Sequence, residues 1–549
     1  MIRGGSLEEQ FLIKEVEKSM SYEKTEDTVV KLKSVGKNRI RLVIYLLFFT
    51  ITAYLAYQLP YCHDDWHWGL SDRVVLMKNL FQNYNGRYLG NITILLITRS
   101  ILAKTLIPAF WMTWLLREME ISVSNRGRIS EKRLGRSYTF INDKKHCFLL
   151  LIIIFLLAAL PQTLLVQSYG WFAAFANFVP PAVLFLCWFN QTDDIYIGVR
   201  SDEVDLTGVG FNFKKAIAIF MLALCTQFFA ENITIFVVLY VLWIIVYSTV
   251  RKGKLYFSHL IYFIGAITGA ILMFTNGGYH GGVSFKSVSL SIADMYYQLR
   301  DKIMDHLFIN NVVLNITFAV VIVCLLIRKE KYSCSKIQGD GRKHSLWDAL
   351  IALSVWGYAC YCVWHSIFPD WKFISDEGKN NFVELLFSGL FFISVLIAIW
   401  RTVDSSRRTS FCILYLCSIL SAAPLMAANP IGARCFYFNY ALQCLTVLKL
   451  IGFLLEGEKI SIWYPTLLIS AALAVLGGTY LFAFTANGAT ERARRLLIEE
   501  AVESKAEEVI LPYMSCPSWC YVSEPMNEEW LKYYKDFYGI PEEMTVTFQ

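Results

Sequence analysis

The chain is poor in charge. Of its 549 residues only 17% are Asp, Glu, Lys or Arg, against about 25% in a soluble domain. That shortage excludes an ordinary water-soluble enzyme of this length. No zinc-type pair of cysteine pairs is present, which leaves no metal-ribbon reading. The 14 cysteines are scattered, mostly within apolar runs, where cysteine behaves as a small hydrophobe. Cys516 and Cys520 are the one spacing that suits an exported disulfide, with two free thiols as the equal alternative. No alternating segments of about ten residues recur, so a transmembrane β-barrel is excluded. No internal repeat suggests a transporter built of inverted halves. The first apolar run begins near residue 40, behind a charged stretch, and reads as a retained anchor rather than a cleaved signal.

What remains is hydrophobic: 56% of residues, with 15% aromatic and a mean hydropathy of +0.44. Many apolar runs reach the ~20 residues that a helix needs to cross a bilayer. The fold class expected is an all-α polytopic membrane protein. Its bundle holds about thirteen transmembrane helices of roughly twenty residues each. Span 1 covers 40–59, span 2 covers 92–116, span 3 covers 147–168 and span 5 covers 216–231. Pro180-Pro181 should break or kink span 4. A cytoplasmic leader occupies 1–38, the membrane domain 39–486 and an extracytoplasmic tail or cap 487–549.

Sidedness follows from lysine and arginine. Segment 117–145 carries eight of them against four acids. Segments 251–254, 328–345 and 401–408 are basic as well. By the positive-inside rule all four belong in the cytoplasm. The tail, with twelve acids and six Lys/Arg, belongs outside. The amino end is then in, the carboxyl end out, and the loop 60–91 external.

That loop is the chemically unusual stretch. Asp64 and Asp65 sit between His63, Trp66 and His67, and Arg87 follows in Asn85-Gly86-Arg87-Tyr88. A carboxylate near its reference pKa of ~3.9 is ionised at neutral pH and can take a proton from a hydroxyl. Indole faces suit the apolar C–H face of a sugar, although an interfacial aromatic belt would also place tryptophans here. The same topology brings Glu231 and Asn232, His280 and Arg434 to the external face. Arginine grips phosphate through paired, charge-assisted hydrogen bonds. Snorkelling to headgroups is the plainer role for each arginine alone. Glu231 is either a second acid in a cavity or a helix-end surface residue. Arg99 and Lys104 fall inside span 2, where cations are costly. They would line the access path of a phospholipid-like donor, or else span 2 starts later.

Asp64-Asp65, the Asn85–Tyr88 run, Glu231-Asn232, the span layout and the tail run Tyr533–Ile540 together resemble the GT-C glycosyltransferase superfamily. Within it the chain is similar to bacterial O-antigen-type glucosyltransferases and a related bacterial group. The resemblance implies a polyprenyl-phosphate donor carrying one sugar. It implies a cell-envelope glycan as acceptor, and a site on the external face of the cell membrane. It makes Asp64 or Asp65 the general base, with Glu231 as a further acid, and gives the leaving phosphate to Arg87 or Arg434. His63, Trp66, His67, Asn232 and His280 would border the substrates. No cofactor is expected. Asp65 with Glu231 imitates the divalent-ion acids of oligosaccharyltransferases, but no metal set stands out, and no nucleic-acid partner is expected. The longer leader and cysteine-bearing tail depart from the group without touching these residues. The alternative is a polysaccharide or lipid-linked-sugar transporter or flippase, whose charges would lie near the bilayer midplane.

Overall fold

The computed structural model describes residues 40–124, 143–197, 213–280, 287–335, 346–456 and 461–549. The leader 1–38 and parts of the basic loops lie outside them. The structure is 79% helical. Among the described residues, ten helices are long and apolar enough to cross a membrane. Residues 52–549 form one compact unit, and 40–51 form the first part of a helix, Ile40–Gln58 (α1).

The first loop folds as two short helices, Asp64–Gly69 (α2) and Asp72–Lys78 (α3). Then come Tyr88–Arg99 (α4), Ile101–Ser124 (α5), Asp143–Ala158 (α6), Gln162–Val166 (α7) and Phe172–Ile197 (α8). Phe213–Thr226 (α9), Glu231–Lys252 (α10), Phe257–Phe274 (α11) and Ile292–Gln298 (α12) follow. Val312–Ser335 (α13), Leu346–Ile367 (α14), Glu377–Thr402 (α15), Ser405–Leu420 (α16) and Tyr437–Leu455 (α17) complete the central bundle. The chain closes with Trp463–Glu503 (α18), two short strands, Glu508–Leu511 and Thr545–Phe548, and a helix between them, Glu528–Tyr538 (α19).

Three of the expected spans fall on helices outside those ten. α6 has 16 residues and α9 has 14, short of the ~20 that the hydrocarbon core demands. The second span is split at Ser100, which is extended. The break puts Arg99 at the end of one helix and Lys104 in the first turn of the next. α8 differs from expectation in the other direction. It runs unbroken through Pro180 and Pro181. Two helices, α8 and α17, are almost wholly buried. α8 is enclosed by α4, α5, α9, α16 and α17, and such packing holds a helix whose prolines have cost it hydrogen bonds.

The charged ends of α17 are handled differently. At its carboxyl end Lys145 donates to the carbonyl of Leu455 (2.6 Å). Arg328 donates to Phe453 and Glu456 (2.6 and 3.0 Å), and Arg407 pairs with Glu456. Cations complement the negative end of a helix dipole and its unpaired carbonyls. Three of the four basic segments therefore meet at one end of the bundle. The amino ends of α8 and α17 lie at the other, joined by Tyr169 and Tyr437 through their hydroxyls (3.0 Å).

α18 spans 41 residues, about 60 Å at 1.5 Å per residue, so the expected boundary at 486/487 falls inside a single helix. The cap beyond it is a parallel two-stranded ribbon, Val509 beside Val546, with α19 packed alongside. Its anchor is Arg494. This fully buried guanidinium donates to the carbonyls of Pro512 (2.8 Å) and Ser523 (3.1 Å) and to the carboxylate of Glu524 (2.5 Å). Arg494→Ala strands two carbonyls and takes from Glu524 its cation. It should cost about 3–5 kcal/mol of cap stability, the range for breaking a buried pair. Limited proteolysis of the full-length protein should then cut within 504–549 at rates where the wild type is resistant. Unchanged resistance would show that the ribbon and α19 hold the cap without this arginine.

Candidate functional site beneath the first loop

α2 starts with two acids, which favour the positive end of a helix. Its N-cap, His63, has φ 47° and ψ −118°. That conformation is costly for a residue with a Cβ, and such strain gathers at sites the surrounding structure holds firmly. Trp66 is buried and donates its indole N–H to the carbonyl of Tyr61 (2.9 Å). α2 packs between α4 and α19. Position 69 has to be glycine, because a Cβ there would come within 2.1 Å of the Phe537 ring.

The two aspartates have different environments. Asp65 is 0% exposed. One carboxyl oxygen accepts the N–H of Cys62 (3.1 Å), the other the N–H of Ala173 in the first turn of α8 (2.9 Å). Burial pushes its carboxyl up to about 8, against the pull of those amides. Asp64 keeps 39% of its side chain exposed, with an oxygen 2.9 Å from Nδ1 of His63. The His63 ring lies 3.8 Å from that of Trp530, 5.5 Å from Tyr521 and 5.6 Å from Trp171. His67 stacks on Tyr533 at 4.3 Å. Burial, and then the charge of Arg73, lower its pKa and favour the neutral ring.

Arg87 and Glu231 meet each other. The guanidinium reaches both carboxylate oxygens, at 2.9 and 2.6 Å, and Tyr279 donates its hydroxyl to the first at 2.8 Å. Burial works against the charge on Arg87, and Glu231 more than offsets it, so the arginine stays ionised. Position 86 must be glycine for this approach, since a Cβ would stand 2.3 Å from the carbonyl of Met273. Asn232, next along α10, donates to the carbonyl of Cys435 (3.3 Å). Arg434 lies 4.8 Å over the ring of Trp171, with only the amide oxygen of Gln167 near its guanidinium, at 3.4 Å. It pairs with no carboxylate among the described residues. His280 faces outward, its Nε2 2.9 Å from the Phe274 carbonyl.

Asp65, Arg87 and Arg434 thus converge on α8, touching Ala173, Phe178 and Trp171 in turn. Asp65 and Glu231, the acids the resemblance would set around a divalent ion, are closed off by separate partners. Among the described residues no group of three His, Cys, Asp or Glu is placed to hold a metal ion.

Beside this cluster opens a cavity of about 1010 Å³. Its walls come from the end of α1, the α2–α3 turn, the α4–α5 break, the C-terminal part of α18 and α19. Arg99, Lys104, Arg492 and Arg495 face it, with Asp72, Glu491, Glu499 and Asp536. Most of these charges have partners. Arg99 donates to the carbonyls of Trp68 and Leu70 (2.9 and 2.6 Å), and Arg492 to Gln58 (2.8 Å). Glu491 accepts from Arg495 (3.0 Å) and Tyr538 (2.7 Å). Lys104 is different. It is only 5% exposed, and its ammonium lies 4.6 Å over the ring of Tyr61 and 5.6 Å over Phe172. Its ammonium makes no hydrogen bond and no close ion pair among the described residues, and Glu491 on the same cavity wall is the carboxylate that most favours its charge. The α18 and α19 charges carry no signal in the sequence, because nothing local ties residues 491–538 to residue 104.

No family model, curated protein or solved structure matches the chain.

Two outcomes follow. Removing either half of the Arg87–Glu231 pair leaves an uncompensated buried charge, so Arg87→Ala and Glu231→Ala should each cost about 3–5 kcal/mol. The double variant should cost less than their sum in a thermal melt of purified protein. Asp65 carries a sign in pH. Its folded pKa lies near 8 and its ordinary one near 3.8, so the folded state holds the proton more tightly. Its stabilising contribution is complete below about pH 4 and is lost as pH rises through 8. Asp65→Asn, which cannot titrate, should melt with a shallower dependence on pH between 4 and 8 than the wild type.

Proposed function

We propose that the chain is an integral membrane glycosyltransferase of GT-C type. It would move a sugar from a polyprenyl-phosphate donor to a cell-envelope glycan on the extracytoplasmic face of the cell membrane. The observation that carries this reading is Lys104. A buried ammonium without an acceptor, facing a cavity at the break between α4 and α5, is a place for an anion. The flanking Ile101, Tyr57 and Phe537 supply an apolar side to the same cavity, suited to a lipid-borne phosphate. The orientation, with about thirteen crossings of roughly twenty residues, rests on the positive-inside rule.

Lys104 holds the donor phosphate, supported by Arg99 and Arg492. Arg87 is committed to Glu231, so Arg434 remains as the second arginine able to meet a phosphate or a sugar oxygen. Asp64 and Asp72 are the first-loop acids with exposed carboxylates, and Asp64, beside the His63 ring, is the base in this reading. As the acceptor oxygen attacks the anomeric carbon, its proton passes to Asp64. The bond from that carbon to the phosphate oxygen breaks, and the lipid phosphate leaves with the electron pair. The sugar is inverted. α2 is roughly 8 Å long at 1.5 Å per residue. Gly69 at one end lines the cavity and Asp64 stands at the other. Trp66 and Asp65 hold the helix in place. Transport is the weaker reading, because Arg99 is bonded to carbonyls of the first loop, at the edge of the spans rather than midway through them.

Membranes bearing the full-length chain and a prenyl-phosphate sugar donor provide the assay, with envelope glycan as the readout. Asp64→Asn should lower kcat by about 100-fold or more, the scale of a lost general base. Lys104→Met should raise KM for the donor at least tenfold. Wild-type transfer by both variants at normal protein level would overturn the reading.

A further inference from the structure

A second cavity, an open groove of about 620 Å³, lies between α14 and α15. It shares no residue with the cavity at Lys104. Both helices are among the ten able to cross a membrane. On α14, Leu353, Gly357, Tyr361 and Trp364 recur at helical spacing and so share a face. Phe387 and Leu390 supply the opposite wall from α15. Gly357 forms the floor, where a Cβ would meet nothing within 4 Å. The hydroxyls on the walls are engaged. Tyr358 pairs with Ser388 (2.7 Å), Tyr361 donates to Glu384 (2.6 Å) and Ser354 accepts from Ser394 (2.9 Å). The rim at loop 368–376 is fixed as well. Phe373 donates its N–H to Asn380 (2.8 Å), whose amide donates in turn to Glu384 (2.9 Å). The Phe373 ring then stands 5.2 Å from Tyr361, 5.3 Å from Phe387 and 4.6 Å from Trp371.

We propose that this groove holds one acyl chain of a bilayer phospholipid. From Leu353 to Trp364 α14 rises about 16 Å at 1.5 Å per residue, half of a hydrocarbon core about 30 Å thick. The groove is one leaflet deep. At one end stand Trp364 and Trp371, the ring type that gathers at the headgroup level. Asp370 and Lys372, beside Trp371 in the chain, are exposed. The basic segments 328–345 and 401–408 join the opposite ends of α14 and α15, so the leaflet is the outer one in the orientation proposed above. With its hydroxyls engaged, the wall offers aliphatic and aromatic surface, which suits a hydrocarbon chain rather than a polar ligand. A second copy of the protein fits less well. Close helix pairs in a membrane use small residues four apart, and Gly357 is flanked at that spacing by Leu353 and Tyr361. The donor's prenyl chain has its own apolar side at the Lys104 cavity.

Full-length protein is reconstituted in phosphatidylcholine vesicles in which a small share of the lipid bears a diazirine midway along one acyl chain. After irradiation the adducts are mapped by mass spectrometry. Label should concentrate on 353–364 and 387–390, several-fold above that on exposed apolar residues elsewhere, such as Leu239 and Leu242 of α10 or Ile264 and Ile271 of α11. Gly357→Leu puts a side chain into free space, and leucine is the better helix former. That variant should keep the wild-type melting temperature and lose the excess label. Prenyl phosphate added to the vesicles should leave the wild-type map unchanged. Even labelling over all these helices, excess label undiminished in Gly357→Leu, or its displacement by prenyl phosphate would overturn the proposal. The wild-type map and the competition decide even where the variant fails to accumulate. The readout is an adduct and not sugar transfer, so its failure and that of the glycosyltransferase assignment are separate results.

Discussion

One carboxyl group holds the loop to the bundle. Asp65 accepts a hydrogen bond from Cys62 inside its own loop and another from Ala173, 108 residues later, in the first turn of α8. A buried acid with those two donors positions α2, and α2 positions Asp64, the strained His63 and the wall of the cavity at Gly69. The amide it meets is at the positive end of a helix sheathed by its neighbours, which is the environment that best tolerates a carboxyl group out of water. Of the two aspartates that the sequence leaves as equal candidates, Asp65 is spent on architecture and Asp64 keeps an exposed carboxylate.

The same division recurs on the rest of that face. Arg87 and Glu231 satisfy each other and tie α4 to α10. Trp171 carries Arg434 on one side and Tyr521 and His63 on the other, so the α7–α8 turn, the α17 start and the cap share one aromatic centre. Lys104, Arg434 and the exposed edge of Asp64 are among the groups that no carboxylate or cation bond fully absorbs among the described residues. In a chain with so few charges each one has a measurable task, and the pairing pattern separates those that hold the bundle from those with capacity to spare.

Much of this was legible from composition and much was not. Apolar run length marks the helices well where the run is long. Where a run is short or split, as at α6, α9 and the α4–α5 break, run length alone does not mark a crossing. Asp64, Asp65, Arg87, Glu231 and Arg434 stand out as polar residues in an apolar chain. Their partners do not, since an ion pair 144 residues apart is a property of packing. Arg99 and Lys104 were recognisable as costly, and the split at Ser100 explains how the cost is met: both stand at helix ends with carbonyls or rings around them.

α18 has a mechanical consequence. A rod of about 60 Å is twice as long as the hydrocarbon core is thick, about 30 Å, so its lower part is set in lipid and its upper part stands in water. Nothing interrupts it between Trp463 and Glu503. A tilt of about 10° at its root becomes roughly 10 Å of sideways travel at its tip over that length. Arg492 and Arg495, partway up, would swing with it past Lys104. Bilayer thickness and curvature, which set the tilt of such a rod, thereby become inputs to the width of the cavity.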